Sequence, residues 1–277
     1  MDGMLDVSVV SPAHNEEGNI AALVGEVGAA LGPLGVSYEF IVVDDGSTDG
    51  TRGVVVGLME GRPWLRCVGM VGTPAGRGHG QSAAFHAGFR ASRGRVIAVL
   101  DADLQNDPSE LPGMLEVMRR EGADLVQGDR SRGRRDTVVR RWGSVVGRVF
   151  RRVILGDRVR DTGCSLRVMR REYALRLPLE FRGMHRFVPA VVGHLGGKIV
   201  EVEVRHRARV AGETKYGAGL GRALPGLMDC FAVRWMRSRR RPTEGAEVTG
   251  RGEGAVSRER AGMGAGKGAG LGTGAGL

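Results

Sequence analysis

The chain has 277 residues, 42% of them apolar and 26% charged. That composition excludes an intrinsically disordered or fibrous chain and leaves room for one large domain with a tail. Cys67, Cys164 and Cys230 are scattered and never spaced C-x-x-C, which argues against a disulfide framework or structural zinc and for a reducing compartment. The formal net charge of +10 asks for a polyanionic partner, whether nucleic acid, an anionic lipid surface or a phosphorylated substrate.

Val7–Val10 predicts a buried first strand that runs into a loop at Ser11–Glu16, with no basic, apolar leader before it, so no secretory signal is expected. In the helix that follows, Ile20, Leu23, Val24, Val27 and Leu31 form one apolar stripe, and Gly32-Pro33 ends it. Phe40–Val43 predicts a second buried strand that stops at two acids, Asp44 and Asp45. The string DDGSTDGT then turns into another helix, with Ser47 or Thr48 placed to cap it. Strand, helix, strand, helix is the pattern of a parallel sheet. Leu65–Met70 predicts a weaker third strand leading into GTPAGRGHGQ at Gly72–Gln81. Its glycines lack the position and the downstream acid of a dinucleotide fingerprint, so either a flexible loop over a sugar nucleotide or a tight connection is expected. Gln81–Ala91 continues as a helix with Phe85 and Phe89 on one face.

Val96–Leu100 is the central strand, and it ends in Asp101 and Asp103. Extended backbone places these two carboxylates on one side, with Gln105 two residues further along. Paired carboxylates repel unless a cation lies between them, and hard oxygen donors suit Mg²⁺ or Mn²⁺, the usual servants of a diphosphate. Solvated loop acids are the plain alternative. Asp107, Pro108 and Glu110 then predict a helix start of capping-box type, with Leu111, Met114, Leu115 and Met118 facing the core.

Asp124–Gln127 is a further strand, ending at Gly128, Asp129 and Arg130. The arginine-rich stretch Arg130–Arg141 reads either as a solvated basic loop or as a grip for phosphate. Beyond Val138 the spacing of Val139, Trp142, Val145, Val146, Val149, Val153 and Ile154 predicts a long, well-buried helix. Asp161–Arg170 is a loop into a strand, and Lys198–Arg205 alternates as a half-exposed strand with its valines inward. Arg207, Arg209, Gly212, Thr214 and Lys215 suit a loop that closes over phosphates. Leu220–Met236 is apolar and helical after Pro225, with Arg237–Arg241 behind it. It is too short and too often interrupted to span a bilayer, so it either packs as a terminal helix or lies on a membrane surface. Beyond Thr243 the glycine-rich chain should be disordered.

Taken together, SPAHNEE (Ser11–Glu17), VVDDGSTDGT (Val42–Thr51), LDADLQNDP (Leu100–Pro108), GDR (Gly128–Arg130), DTGCSLRV (Asp161–Val168), GMHRF (Gly183–Phe187) and RVAGETKYG (Arg209–Gly217) resemble the family 2 glycosyltransferases. The likeness is greatest to the dolichol-phosphate mannosyltransferase and polyprenyl-phosphate glycosyltransferase group. The resemblance implies an α/β GT-A-type fold, mostly parallel sheet flanked by helices, over residues 1–218; the residue pattern adds an amphipathic helix with a basic flank at 219–241 and a disordered tail at 242–277. It implies an inverting enzyme that moves a hexose of mannose or glucose type from GDP-mannose or a UDP-hexose to a polyprenyl or dolichyl phosphate.

By the same resemblance, Pro12, His14 and Glu16 contact the nucleotide, and Val43 with Asp45 reads the base. Asp101, Ala102 and Asp103 hold ribose and diphosphate, Asp103 and Gln105 ligate Mg²⁺ or Mn²⁺, and Arg130, Arg209 and Lys215 surround the diphosphate and lipid phosphate. The family usually carries an aromatic where His14 stands. Asp103, Arg130, Arg209 and Lys215 are the expected catalytic set. Without a spanning helix, the protein is expected on the cytoplasmic face of an anionic membrane, held peripherally. Two other classes compete: a basic nucleic-acid binder, which leaves the acid-ended strands without a purpose and has no interleaved aromatics, and a silent module that binds sugar nucleotide or lipid phosphate. Turnover of a labelled nucleotide sugar separates the last from an enzyme.

Overall fold

A computed structural model describes residues 4–73, 76–131, 147, 149–205, 207 and 223–241. Seven strands form one sheet: β1 (Leu5–Ala13), β2 (Tyr38–Asp44), β3 (Leu65–Gly69), β4 (Gly94–Val99), β5 (Leu125–Asp129), β6 (Arg167–Arg170) and β7 (Ile199–Glu203), in the order β3-β2-β1-β4-β6-β5-β7. All neighbours pair in parallel except β6, which runs antiparallel to both β4 and β5. The inner strands β1, β2 and β4 are buried along most of their length because both faces of the sheet are covered there, whereas β7 alternates and is half-exposed.

Alternation along each strand sorts side chains into two cores. Val7, Val9, Phe40, Val42, Ala98 and Leu100 face one layer with α1 (Glu17–Leu31), α2 (Thr51–Met59) and α4 (Leu111–Glu121). Val10, Ile41, Val43, Ile97 and Val99 face the other with α3 (Gln81–Ala91), α6 (Val188–His194) and α7 (Ala223–Arg239). The short α5 (Arg171–Ala174) follows β6. The expected stripe of α1 is fully buried. Gly88 lets α3 lie directly on the sheet, since a Cβ there would come within 2.4 Å of Val10. The compact unit extends to Ser238, one residue short of the end of α7.

Several expectations are corrected. β1 continues to Ala13, because its pairing with β2 runs through Pro12 and Ala13. The cap of α2 is not Ser47 or Thr48. The helix starts at Thr51, whose backbone N–H donates to Asp49 at 3.0 Å, while Ser47 and Thr48 bond to Asn15. Asp107 does cap its helix, accepting from Ser109, but Glu110 turns away to Arg205 and closes no capping box. Residues 149–155 are helical, yet Val149 and Val153 face solvent; Phe150, Ile154 and Leu155 carry the packing. α7 begins before Pro225, which falls in the first turn where no N–H is needed. Most of the arginine-rich loop, residues 132–146, and the stretch from 208 to 222 with Arg209 and Lys215 lie outside the described residues, as does the tail beyond 241.

Candidate active site

Three parallel strands, β1, β2 and β4, release their chain at one edge of the sheet, where open α/β sheets bind ligands. Loop residues there are stitched across strands. Asn15, in a left-handed conformation (φ 54°), accepts from Thr48 N–H at 2.8 Å and donates its own N–H to Ser47 Oγ at 3.0 Å, while Glu16 N–H donates to Thr51 Oγ1 at 2.8 Å. His14 Nδ1–H donates to the carbonyl of Asp45 at 2.7 Å, which assigns the proton to Nδ1. Pro12 and Val43 are direct partners across β1 and β2.

The two acids after β2 have different tasks. Asp44 is wholly buried and spends its carboxylate on Arg52 (2.6 Å) and the N–H of Ser47. Asp45 accepts from the backbone N–H groups of His79 (2.8 Å) and Gly80 (2.7 Å), so the glycine loop before α3 is docked on it. That contact fixes the loop against the end of β2.

After β4, Asp101 is held on both oxygens: Gln81 Nε2–H donates at 2.7 Å and Ser165 Oγ–H at 2.5 Å. Asn106 Nδ2–H donates to that same Ser165 oxygen at 2.8 Å, completing a chain from α3 through Asp101 to the start of α4. Burial raises the Asp101 pKa, the Ser165 bond opposes the rise, and the neighbouring charge of Asp103 adds to it. Ala102 is buried beneath. The chain turns at residues 102–104 and does not stay extended as expected: Leu104, between Asp103 and Gln105, is buried with φ 60°, a costly conformation for a bulky side chain. Asp103 accepts the N–H of Gln105 at 3.2 Å.

Arg130 meets Asp161 in a two-pronged ion pair, Nε to Oδ2 at 2.8 Å and Nη2 to Oδ1 at 3.3 Å. Burial works against its charge, but the Asp161 bond and the nearby acids outweigh this and raise its pKa. Arg207 is corrected from a phosphate cation to an anchor: its guanidinium is tied to Glu26 (2.6 Å) and Asp107 (2.7 Å), and its N–H donates to the carbonyl of Gln105 at 3.0 Å. The chain therefore leaves β7 beside Gln105. Cys164 is buried, and its thiol is pushed up to about 11, so it is no nucleophile at neutral pH.

A cavity of about 220 Å³ adjoins Asp101, walled by Gln81, Ser165, Arg167, His185 and Arg186 among others. A larger one, about 410 Å³, lies around Asp157 and His194 and holds none of the sequence motifs' acids from β1, β2 or β4. Sequence reasoning missed Gln81, Asn106 and Ser165, although each stands inside or beside a motif that it singled out.

The profile described as Glycosyl transferase family 2 matches residues 8–177, from β1 past α5. The chain belongs to glycosyl transferase family 2. This glycosyltransferase is 35% identical over 258 residues to the dodecaprenyl-phosphate galacturonate synthase of Rhizobium johnstonii, covering 91% of this chain and 74% of that one. It is 36% identical over 213 residues to the undecaprenyl-phosphate 4-deoxy-4-formamido-L-arabinose transferase of Aeromonas hydrophila, covering 76% of this chain but 63% of the relative's length. Its fold is shared with the glucosyl-3-phosphoglycerate synthase of Mycobacterium tuberculosis in complex with Mn²⁺, UDP and phosphoglyceric acid, at a TM-score of 0.62 and 22% identity over 86% of this chain and 80% of that one. The mannosyl-3-phosphoglycerate synthase of Rubrobacter xylanophilus matches at 0.57 and 20% identity, over 85% and 74%. The GT-A-type fold expected from the sequence is the one observed.

Proposed function

We propose that this glycosyltransferase moves a sugar from a nucleoside diphosphate to a polyprenyl phosphate, with inversion at the anomeric carbon. The observation that carries the reading is Asp101, pinned by Gln81 and Ser165 beside Asp103 at the mouth of the central strand. Both named relatives act on a polyprenyl phosphate, which supports the acceptor. For the donor, GDP-mannose and UDP-hexoses come first, including the uronate that the Rhizobium relative's name carries.

The residues fit a divalent cation of the Mg²⁺ or Mn²⁺ kind. Asp103 and Gln105 would be the hard oxygen donors that hold it, beside Asp101. Among the described residues no three His, Cys, Asp or Glu side chains cluster tightly enough to hold a metal alone. Such a set suits an ion that takes its remaining ligands from diphosphate and water. When bound, it supplies charge neutralisation for the departing nucleoside diphosphate.

The chain's own groups do the rest. His14, Glu16 and Asp45 line the nucleotide end, with Pro12 and Val43 beneath. Arg130, kept protonated and immobile by Asp161, directs positive charge at the phosphates, with Arg209 and Lys215 as its expected companions. An acceptor phosphate is already an anion and needs orientation rather than deprotonation, so no general base is assigned.

No helix among the described residues is long and apolar enough to cross a membrane. α7 buries Cys230 and Val233 while Met228, Phe231 and Trp235 stand exposed, followed by Arg237, Arg239, Arg240 and Arg241. Apolar area beside a basic run supports reversible attachment to an anionic leaflet. Release of nucleoside diphosphate from a panel of nucleotide sugars, dependent on added polyprenyl phosphate, tests the whole reading; no release from any donor overturns it.

A further inference from the structure

The motif GMHRF at Gly183–Phe187 has no part in the chemistry above, yet the fold brings its histidine to the cavity beside Asp101. His185 follows Gly183, whose φ of 87° turns the chain inward, and lies in a short 3₁₀ turn (Met184–Phe187). Its backbone N–H donates to Ser82 Oγ at 3.1 Å, and its Nδ1 stands 2.8 Å from that same oxygen. Ser82 Oγ accepts one hydrogen bond, and among the described residues Nδ1 is the one acceptor within reach of its own proton, which favours donation to Nδ1. The ring is then the Nε2–H tautomer. Nε2 bonds to no described residue, which makes it the polar group that the ring can offer to the cavity.

Burial and the adjacent guanidiniums of Arg186 and Arg167 push the His185 pKa down to about 3. The ring thus stays neutral through the physiological range, and a proton donated by Ser82 to Nδ1 favours the Nε2–H tautomer. Its surroundings are only partly committed: Arg151 Nε is buried without a partner among the described residues, and Arg186 also lines the cavity. Arg167 is spent on the carbonyls of Ser165, Cys164 and His185 itself, Gln81 on Asp101, and Arg151 on Thr162, Asp157 and the carbonyl of Arg186. At about 220 Å³ the cavity falls below the roughly 300–1,000 Å³ of a typical organic ligand site, a space for a single sugar ring rather than a nucleotide.

We infer that this cavity seats the sugar being transferred and that His185 is its specificity-determining residue, a neutral ring that takes the Ser82 hydrogen bond on Nδ1 and offers Nε2–H to one oxygen of the sugar. The inference rests on the glycosyltransferase reading and deepens it. A neutral Nε2–H donor held in place by Ser82 selects an oxygen acceptor at one position of the sugar. Ser82 is a positioning residue that acts through His185.

Two substitutions separate this role from a structural one. His185→Asn keeps a polar atom near Nδ1 for Ser82 but removes the donor at Nε2; His185→Gln extends a donor to about the Nε2 position. Each would be titrated calorimetrically, with Mn²⁺ present, against UDP, GDP, UDP-glucose, UDP-glucuronate and GDP-mannose. The expected result is that His185→Asn binds the nucleoside diphosphate as the parent does but loses about tenfold for the preferred nucleotide sugar, the worth of one hydrogen bond, and that His185→Gln recovers most of it. Nitrogen-15 spectra of the parent should show the Nε2–H tautomer from pH 5 to 8. Equal loss for the diphosphate and the sugar nucleotide, no loss for either, or the Nδ1–H tautomer would overturn the inference while leaving the enzyme reading intact. Absence of parent binding to every nucleotide sugar would instead remove the reading on which it rests.

Discussion

Gly80 donates its backbone N–H to Oδ2 of Asp45 at 2.7 Å, tying the glycine loop before α3 to the end of β2. Gly78 sits so close that a Cβ would lie 2.7 Å from that same oxygen, in a backbone conformation of φ 60°. Gly78→Ala should therefore lift the loop from Asp45 at a cost of about 1–2 kcal/mol and weaken nucleoside diphosphate binding about tenfold by calorimetry. Asp45→Ala should do at least as much, through lost base contact and lost loop docking together, without altering the metal requirement. Parent-like affinity in both variants would separate this loop from the nucleotide site.

Asp103→Ala should abolish transfer while the thermal unfolding midpoint stays near that of the parent, since the side chain is partly exposed at a loop. EDTA should silence the parent reversibly, with activity returning on Mg²⁺ or Mn²⁺. Full turnover in either experiment would remove Asp103 and Gln105 from a metal role.

The ion pair of Arg130 with Asp161 makes a stability prediction. The two side chains are only 12% and 9% exposed, so Asp161→Asn strands a guanidinium with little water to replace its partner. The expected loss is on the order of 3 kcal/mol in urea unfolding, together with a fall in transfer rate. An unchanged midpoint would mean that Arg130 finds solvent easily.

His185 gives the fold a pH dependence of known sign. Its pKa is about 3 in the folded protein against 6.5 for the free side chain, so below pH 6.5 the unfolded state binds the extra proton. Stability is full above that point and falls at about 1.4 kcal/mol per pH unit below it. Between pH 6.5 and 5 the expected loss from this group is about 2 kcal/mol. His185→Asn should flatten that part of the profile; an identical slope in parent and variant would assign it to other groups.

Attachment to membranes is best tested without deleting α7, because Cys230 and Val233 belong to the second core and removing the helix would uncover it. Changing Met228, Phe231 and Trp235 together to Ser spares Cys230 and Val233 and gives up the edge-on contact of Phe231 with Phe150. The parent should sediment with anionic vesicles at low salt and be partly released at high salt, and the triple variant should stay in the supernatant. If it still sediments, the contact lies in the arginine-rich loop.

Much of this protein was legible in its residue order. Unbroken apolar runs ending in Asp44, Asp45, Asp101 and Asp103, separated by a helical stripe such as Ile20 to Leu31, determine a parallel sheet with acids at one edge, because strand and helix periodicity are local properties. The motif residues likewise declared their family. Partnership was not legible. That Asp44 serves Arg52 while Asp45 holds the glycine loop, that Arg207 is an anchor, and that Ser165 and Gln81 clamp Asp101 all depend on contacts between segments far apart in sequence. Val149 and Val153 kept helical spacing yet lie outside, since periodicity marks a face but not what covers it. The residue order determined which groups arrive at the edge of the sheet; only the tertiary structure decided which remain available there, because a hydrogen bond between Ser82 and His185 closes across 103 residues of chain that no local pattern can span.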